Sequence, residues 1–144
     1  MTGVVGSSHL KRIGWKEWVS LPKIGNVRMV AKVDTGAKTS ALHVSHIERV
    51  PGKREVKFRI HPKRKSQSPS KVIRAPLIEM RRVKSSNGIE MKRPVVRLRL
   101  SVGGKEFLTE VTLVNREKMD YRMLLGRQAI KGRFLVDCGH AHLA

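Results

Sequence analysis

Residues 27–37 read VRMVAKVDTGA, an alternating apolar segment that runs without a break into Asp-Thr-Gly-Ala. The odd positions of residues 27–33 are all apolar, which is the period of two expected of a strand with one buried face. A carboxylate on a glycine turn at the end of such a strand can be held rigidly, with its oxygens toward a cleft. The same residues also fit an ordinary Asx turn, in which Asp34 only accepts hydrogen bonds from nearby backbone N–H groups. Asp34 is therefore a candidate functional residue with two open interpretations.

Alternation of the same kind predicts further strands along the chain. Residues 15–21 and 56–60 each predict a strand, and residues 96–113 predict a hairpin that turns at Gly103-Gly104. A second hairpin is predicted over residues 81–96, since an Asn-Gly pair near its middle readily adopts the backbone angles of a tight turn. Apolar residues 123–125 end at Gly126, and a short helix and a last strand are predicted after it. Many short strands with one brief helix near the C-terminus predict an all-β fold, a small closed barrel.

The length of 144 residues predicts one domain. We assign residues 1–12 to a flexible N-terminus, residues 13–137 to the domain and residues 138–144 to a C-terminal tail. Within the domain, HPKRKSQSPSK at residues 61–71 has no apolar residue and predicts an exposed loop. No apolar run approaches the ~20 residues of a membrane span, and the first ten residues lack the pattern of a secretion signal. The lone Cys138 cannot form an internal disulfide, so we expect a soluble, cytoplasmic protein.

The charge of the chain is strongly positive and unevenly spread. The formal net charge is +20, and residues 49–99 hold 17 Lys and Arg against three Glu, a net charge of +14. Much of this charge alternates with core positions and fits solvated strand faces. It would also attract nucleic acid without sequence preference, through release of counterions. The few aromatic residues do not form the interleaved pattern of an RNA-binding sheet, so specific readout is not expected.

Two motifs taken together carry a family resemblance. DTGA at residues 34–37 is followed, much later in the chain, by LLGR at residues 124–127. In this order, with a hairpin between them, they resemble the retropepsin-like aspartic proteases. DTGAKTSALH together with RPVV, MLLGRQAI and FLVD is similar to a bacterial branch often labelled ATP-dependent zinc proteases and associated with RimK-type glutamate ligases. The resemblance covers about residues 13–137 and implies the small barrel of the retropepsins.

The resemblance implies a peptidase that needs two copies of the chain. Aspartic proteases use two carboxylates that share one proton, and this sequence has a single Asp-Thr-Gly. The catalytic pair would be Asp34 and its symmetry mate in a homodimer. By the same resemblance, the residues that support the active site are Thr35, Gly36, Ala37, Leu125, Gly126 and Arg127. The flap that closes over the substrate would have its tip at Ser85, Ser86, Asn87 and Gly88.

Lys38 departs from the viral pattern, because viral enzymes usually carry an acidic residue at this position. A lysine there makes the rim of the substrate cleft more positive. Together with the basic segment 49–99, it favours acidic, Glu-rich peptides as the substrate. The alternative is a non-catalytic module on the same fold, which binds a polyanion or nucleic acid or regulates a partner.

The zinc and ATP of the branch label find no support in the residues. The sequence has no His-Glu-x-x-His and no Gly-x-x-x-x-Gly-Lys-Ser/Thr, the motifs that bind zinc and ATP phosphates. We therefore expect no cofactor and no metal site, and treat solvated histidines as the simpler interpretation. The remaining candidate metal donors are His43, His46, Cys138, His140 and His142. Cys138 lacks the neighbouring base and oxyanion site that a nucleophile needs.

Overall fold

The computed structural model describes residues 9–25, 27–62, 70–84 and 87–144. The described residues form ten strands and one short helix. The elements are β1 (Lys11–Ile13), β2 (Lys16–Leu21), β3 (Val27–Val33), β4 (Ser40–Arg49), β5 (Glu55–Ile60), β6 (Lys71–Lys84), β7 (Glu90–Val102), β8 (Lys105–Val114), β9 (Met123–Leu125), α1 (Arg127–Ile130) and β10 (Phe134–Val136). The expectations for residues 1–8, for most of the 61–71 loop and for Ser85 and Ser86 fall outside the described residues.

Eight of the strands form one sheet in the order β2-β3-β9-β4-β5-β6-β7-β8, and β1 and β10 form a separate parallel pair. The sheet closes on itself where β4 pairs with β8, and β2 also touches β7 through one residue pair. The predicted all-β fold with one short helix is confirmed. The ring is not a clean barrel, because the first half of β4 pairs with β8 and β9 and its second half pairs with β5. A register shift between Ser45 and Glu48, with His46 at φ 53°, separates the two halves.

The strands that alternate in sequence alternate in burial. In β5 the buried residues are Val56, Phe58 and Ile60, and both predicted hairpins are paired as expected, β6 with β7 and β7 with β8. The sequence did not predict β4, since four of its first five residues are buried and a strand covered on both faces shows no alternation. The parallel pair of β1 and β10 was also not predicted, because it joins segments at opposite ends of the domain.

The core is one cluster of aliphatic and aromatic side chains inside the ring, with Phe58, Leu100 and Met29 among its fully buried members. Its edge is closed by the chain after β10. There the buried carboxylate of Glu17 accepts hydrogen bonds of 2.7 Å from the backbone N–H groups of Gly14 and Leu143. The last residues of the chain therefore lie against β2.

In the part of the chain that the structure describes, no helix is long and apolar enough to cross a membrane. The helix α1 has four residues, against the roughly 20 that a membrane-spanning helix needs.

Candidate active site

The segment that carries Asp34 connects two strands that are not neighbours. β3 leads into residues 34–39, which lead into β4, and β9 lies between these two strands. β9 runs parallel to β3, with Leu125 beside Val33, and antiparallel to β4, with Leu124 beside Ala41. The Asp-Thr-Gly turn thus crosses the end of β9 and packs against it.

Backbone hydrogen bonds fix this turn at both ends. The Asp34 N–H donates to the Leu125 carbonyl at 2.9 Å, which continues the ladder between β3 and β9. The first residues of α1 then turn back onto the loop, where the Arg127 N–H donates to the Ala37 carbonyl at 2.8 Å and the Gln128 N–H donates to the Lys38 carbonyl at 3.0 Å. The motif Leu-Leu-Gly-Arg therefore positions the turn through main-chain contacts.

The carboxylate of Asp34 is half-buried and uses one oxygen within the chain. Its Oδ1 accepts the backbone N–H of Gly36 at 3.0 Å, which is the Asx-turn bond considered from sequence. Oδ2 accepts no hydrogen bond from the described residues. Thr35 and Gly36 are exposed at the apex of the turn. The Asx turn and a functional carboxylate are therefore compatible, because the turn occupies one oxygen and leaves the other open.

Gly126 and Arg127 contact the turn from below. A Cβ on Gly126 would lie 2.7 Å from the Thr39 carbonyl carbon and 3.0 Å from the Ala37 oxygen, both backbone atoms. Glycine is thus required by the close approach of two main chains. The guanidinium of Arg127 donates from Nη1 to the Thr35 carbonyl at 2.9 Å. This contact braces the apex of the turn.

Arg81 links the same loop to the β6–β7 hairpin. Its Nη1 donates to the Thr39 hydroxyl at 3.1 Å, and its other nitrogens donate to Glu79 and Glu110. The hydrogen bond with Glu79 raises the pKa of Arg81 above its usual value, so the cation is firmly held. Arg81 could not be singled out from the sequence, since nothing in a run of cations marks the one that contacts two carboxylates.

A cleft of about 690 Å³ lies beside the turn, on the side of Thr35, and is lined also by Lys38, Arg127, Gln128, Ile130 and Lys131. Three of these side chains are cationic. Lys38 is exposed there, and its position at the rim of a substrate cleft stays a prediction. Asp34 itself does not line this cleft, but the next residue, Thr35, does.

The expected flap is only partly described. Lys84 pairs with Glu90 at the end of the β6–β7 ladder, and Asn87 and Gly88, with Gly88 at φ 85°, form an exposed turn beyond it. The hairpin predicted from the Asn-Gly pair is confirmed, and its role as a flap stays a prediction.

His43 is fully buried on β4 and is fixed in one tautomer. Its Nδ1 accepts the Arg116 backbone N–H at 2.9 Å, so the neutral ring carries its proton on Nε2. That Nε2 makes no hydrogen bond with the described residues and lies 3.8 Å from the exposed carboxylate of Glu117. A protonated Nε2 cannot bind a metal, and the occupied Nδ1 cannot either. The His61 ring packs against His43, with 5.6 Å between their centroids.

The other candidate metal donors do not converge. His46 bonds to Ser45, His140 bonds to Asp137 at 3.1 Å, and Cys138 is exposed. His142 stacks near Trp18. Over the described ranges, no group of three or more His, Cys, Asp or Glu side chains is placed to hold a metal ion.

We expect Gly126→Ala to lower the free energy of unfolding by about 1–3 kcal/mol, because its Cβ must displace backbone atoms of the turn. Urea denaturation measures this change. Gly139→Ala is the matched control, since its Cβ would meet an ordinary contact of 3.4 Å, and we expect it to change stability by no more than about 0.5 kcal/mol. Equal effects of the two substitutions would contradict the close packing under Asp34.

We expect the protein to lose stability as the pH falls below about 6.5, the ordinary pKa of histidine. Burial, and then Arg122, lower the pKa of His43, and burial lowers the pKa of His61. The unfolded state therefore binds more protons than the folded state below this pH, and protonation favours unfolding.

His43→Asn keeps an acceptor for the Arg116 N–H but cannot titrate. Its free energy of unfolding should fall less between pH 7 and pH 5 than that of the wild type, whereas exposed His9→Asn should leave the slope unchanged. Chemical denaturation across this pH range measures both slopes, and an unchanged slope in His43→Asn would show that His43 does not titrate as described.

We compared the chain with known protein families and solved structures. The family model described as "Retropepsin-like aspartic endopeptidase RimB" matches residues 12–144. The fold is similar to the crystal structure of a Legionella pneumophila protein of unknown function, with a TM-score of 0.77 and 29% identity over 92% of this chain and 97% of that one.

The sequence is also similar to longer proteins. It is 41% identical over 134 residues to a protein named "Probable alpha-L-glutamate ligase" from Parasynechococcus marenigrum, over 90% of this chain. It is 40% identical over 129 residues to a protein of the same name from Shewanella pealeana, over 87% of this chain. The chain spans 28% of the length of each of these relatives. With the family model covering nearly all of its residues, the chain belongs to the RimB-like family of retropepsin-like aspartic endopeptidases.

Proposed function

We propose that this protein is an aspartic peptidase that works as a homodimer, with one Asp34 from each chain. The observation that carries the proposal is the state of the Asp34 carboxylate. The carboxylate lies on a turn that is fixed by hydrogen bonds to Leu125 and Arg127. Its Oδ1 accepts the Gly36 N–H, whereas Oδ2 accepts no hydrogen bond from the described residues and lies beside the exposed apex of the turn. A carboxylate held in this way is positioned before the substrate arrives, which reduces the cost of organising the transition state.

One chain supplies half of the required chemistry. Hydrolysis of a peptide needs a base that takes a proton from water and an acid that donates a hydrogen bond to the carbonyl oxygen. Two carboxylates that share one proton fill both roles, since their like charges prevent both from ionising. A two-fold axis beside Thr35 and Gly36 would bring the two Asp34 side chains together, because these exposed residues are the apex of the turn.

The steps then follow from the two protonation states. The ionised Asp34 takes a proton from water as the water oxygen bonds to the peptide carbon. The protonated Asp34 of the second copy hydrogen-bonds to the carbonyl oxygen, where negative charge develops. The carbon–nitrogen bond breaks as the leaving nitrogen receives a proton, and the carboxylate pair returns to sharing one proton.

Acidic peptides are the proposed substrate class. Lys38, Arg127 and Lys131 line the cleft beside the turn, and the whole chain carries a net charge of +20. Related sequences occur inside proteins named as glutamate ligases, and a ligase that adds glutamate leaves an acceptor richer in carboxylates. A cationic cleft would concentrate such a product.

The same relationship supports a second candidate, a module without catalytic activity that serves a glutamate ligase as a binding or regulatory partner. The observation that favours it is that a segment similar to this chain makes up 28% of the length of proteins named as ligases. The two candidates differ in whether Asp34 does chemistry.

Asp34→Asn should reduce peptide hydrolysis at least about 100-fold, because the amide can neither take a proton from water nor share one. The fold should be retained, since the amide oxygen can still accept the Gly36 N–H. Hydrolysis of a labelled acidic peptide measures the activity, and circular dichroism and thermal unfolding verify the fold.

Asp137→Asn is the matched control, since it changes the same side chain on a partly exposed turn near the C-terminus. Its activity should stay close to that of the wild type. Activity retained by Asp34→Asn would refute the peptidase mechanism and favour the binding module.

Acidic peptides should be cleaved with a higher kcat/KM than neutral peptides of the same length, and the advantage should shrink as salt is added. Screening shortens the range of the attraction to about 8 Å at physiological ionic strength. Paired assays on oligo-glutamate and oligo-glutamine peptides at low and moderate salt measure the effect. Lys38→Gln should reduce the difference in kcat/KM between the acidic and the neutral peptide. Lys53→Gln, on an exposed turn, should leave that difference unchanged. No preference at low salt would rule out an acidic substrate.

A further inference from the structure

A second cationic groove lies on the β7 side of the β6–β7 hairpin. It has a volume of about 370 Å³ and is lined by Ile47, Met91, Pro94 and the cations Lys92, Arg93 and Arg116, among others. Met91 is 52% exposed and Ile47 is 36% exposed, so the groove offers apolar surface between its charges.

The two arginines of this groove lack carboxylate partners. Neither the Arg93 nor the Arg116 side chain forms an ion pair within 4.0 Å with a residue that the structure describes. Burial and the nearby Arg116 charge lower the pKa of Arg93. Two guanidinium groups repel each other beside this groove, and neither is paired with a carboxylate of the described residues, so an anionic ligand bound there would relieve the repulsion.

Arg93 is linked to the candidate active site through Arg81 on the neighbouring strand. Arg81 lies directly opposite Arg93 in the β6–β7 ladder, and residues opposite each other in an antiparallel pair point to the same face. Arg81 contacts Thr39, five positions beyond Asp34, and is neutralised by Glu79 and Glu110. Like charges directly opposite each other cost stability, so the uncompensated Arg93 is a feature that folding alone does not favour.

The geometry points to a distal subsite for carboxylates of an acidic polypeptide, formed by Arg93 and Arg116 and reached from Asp34 past Arg81. The inference rests on the proposed function, because it extends the cleft of an acidic-peptide hydrolase. Arg81 is paired with Glu79 and Glu110 and orients the loop. Arg93 and Arg116 instead bind carboxylates of the ligand. The exposed Met91 and Ile47 contact the aliphatic part of glutamate side chains.

A polypeptide fits this groove better than a nucleic acid. The described residues that line the groove include no aromatic ring on which a base could stack. Arginine binds carboxylate groups through paired hydrogen bonds, and the apolar contacts suit methylene groups.

The test measures binding apart from catalysis. The Asp34→Asn protein, which should bind without cleaving, is titrated against a fluorescent oligo-glutamate peptide at low salt. Adding Arg93→Gln or Arg116→Gln should weaken binding about five- to tenfold, as expected for loss of a charged hydrogen bond at a partly exposed site. Arg93→Lys should bind more tightly than Arg93→Gln and less tightly than Arg93, because lysine keeps the positive charge but lacks the paired N–H donors of the guanidinium.

Arg74→Gln is the matched control. It removes the same charge from an exposed position on β6, seven residues and roughly 23 Å along the strand from Arg81. Thermal unfolding of each variant verifies that the fold is intact.

The outcomes separate the subsite from the proposed function. If Arg93→Gln and Arg116→Gln bind the peptide as Arg74→Gln does, the subsite is wrong and the acidic substrate stands. If the Asp34→Asn protein itself does not bind oligo-glutamate, both are wrong. If a single-stranded oligonucleotide binds more tightly and loses affinity in Arg93→Gln, the groove serves nucleic acid and the inference is overturned.

Discussion

The position of β9 between β3 and β4 is the constraint on which the candidate site depends. Because β9 separates β3 from β4, the Asp34 turn must cross the end of β9. At that end the Leu125 carbonyl accepts the Asp34 N–H, and the Arg127 N–H donates to the Ala37 carbonyl. The close approach at Gly126 follows from the same crossing, since the loop and the start of α1 pass within contact distance. The short loop, residues 34–39, is therefore fixed by three backbone hydrogen bonds to Leu125, Arg127 and Gln128 in addition to its own Asx turn.

Positive charge is the second feature that organises the site, and the cations differ in whether carboxylates pair with them. Arg81 is matched by two carboxylates and ties the β6–β7 hairpin to the Asp34 loop, whereas Arg93 opposite it is unmatched. Two copies of a chain with a net charge of +20 repel each other, so the proposed symmetric pair would gain stability from an anionic ligand at a shared cleft. Under that proposal, substrate binding would favour assembly of the pair.

The half-buried strands could be predicted from the sequence because their burial alternates, as in β3, β5 and the β7–β8 hairpin. The strand β4 could not, since its covered first half removes the alternation, and its bulge has no local signature. The Asp34 turn was located by its motif, but only the folded chain shows that Oδ1 accepts the Gly36 N–H and that Oδ2 accepts no hydrogen bond from the described residues. Arg81 and the buried His43 bond to Thr39 and Arg116, which lie in loops far away in the chain, and no local sequence pattern encodes these contacts.

Subunit mixing tests the central claim, that two Asp34 carboxylates make one active site. Wild type and the Asp34→Asn protein are mixed in varied proportion at constant total concentration, allowed to exchange subunits, and assayed on an acidic peptide. If each site needs one Asp34 from each copy, mixed dimers are inactive and the rate falls as the square of the wild-type fraction. A rate that falls in simple proportion to that fraction would show that a single chain carries a complete site, and would contradict the account.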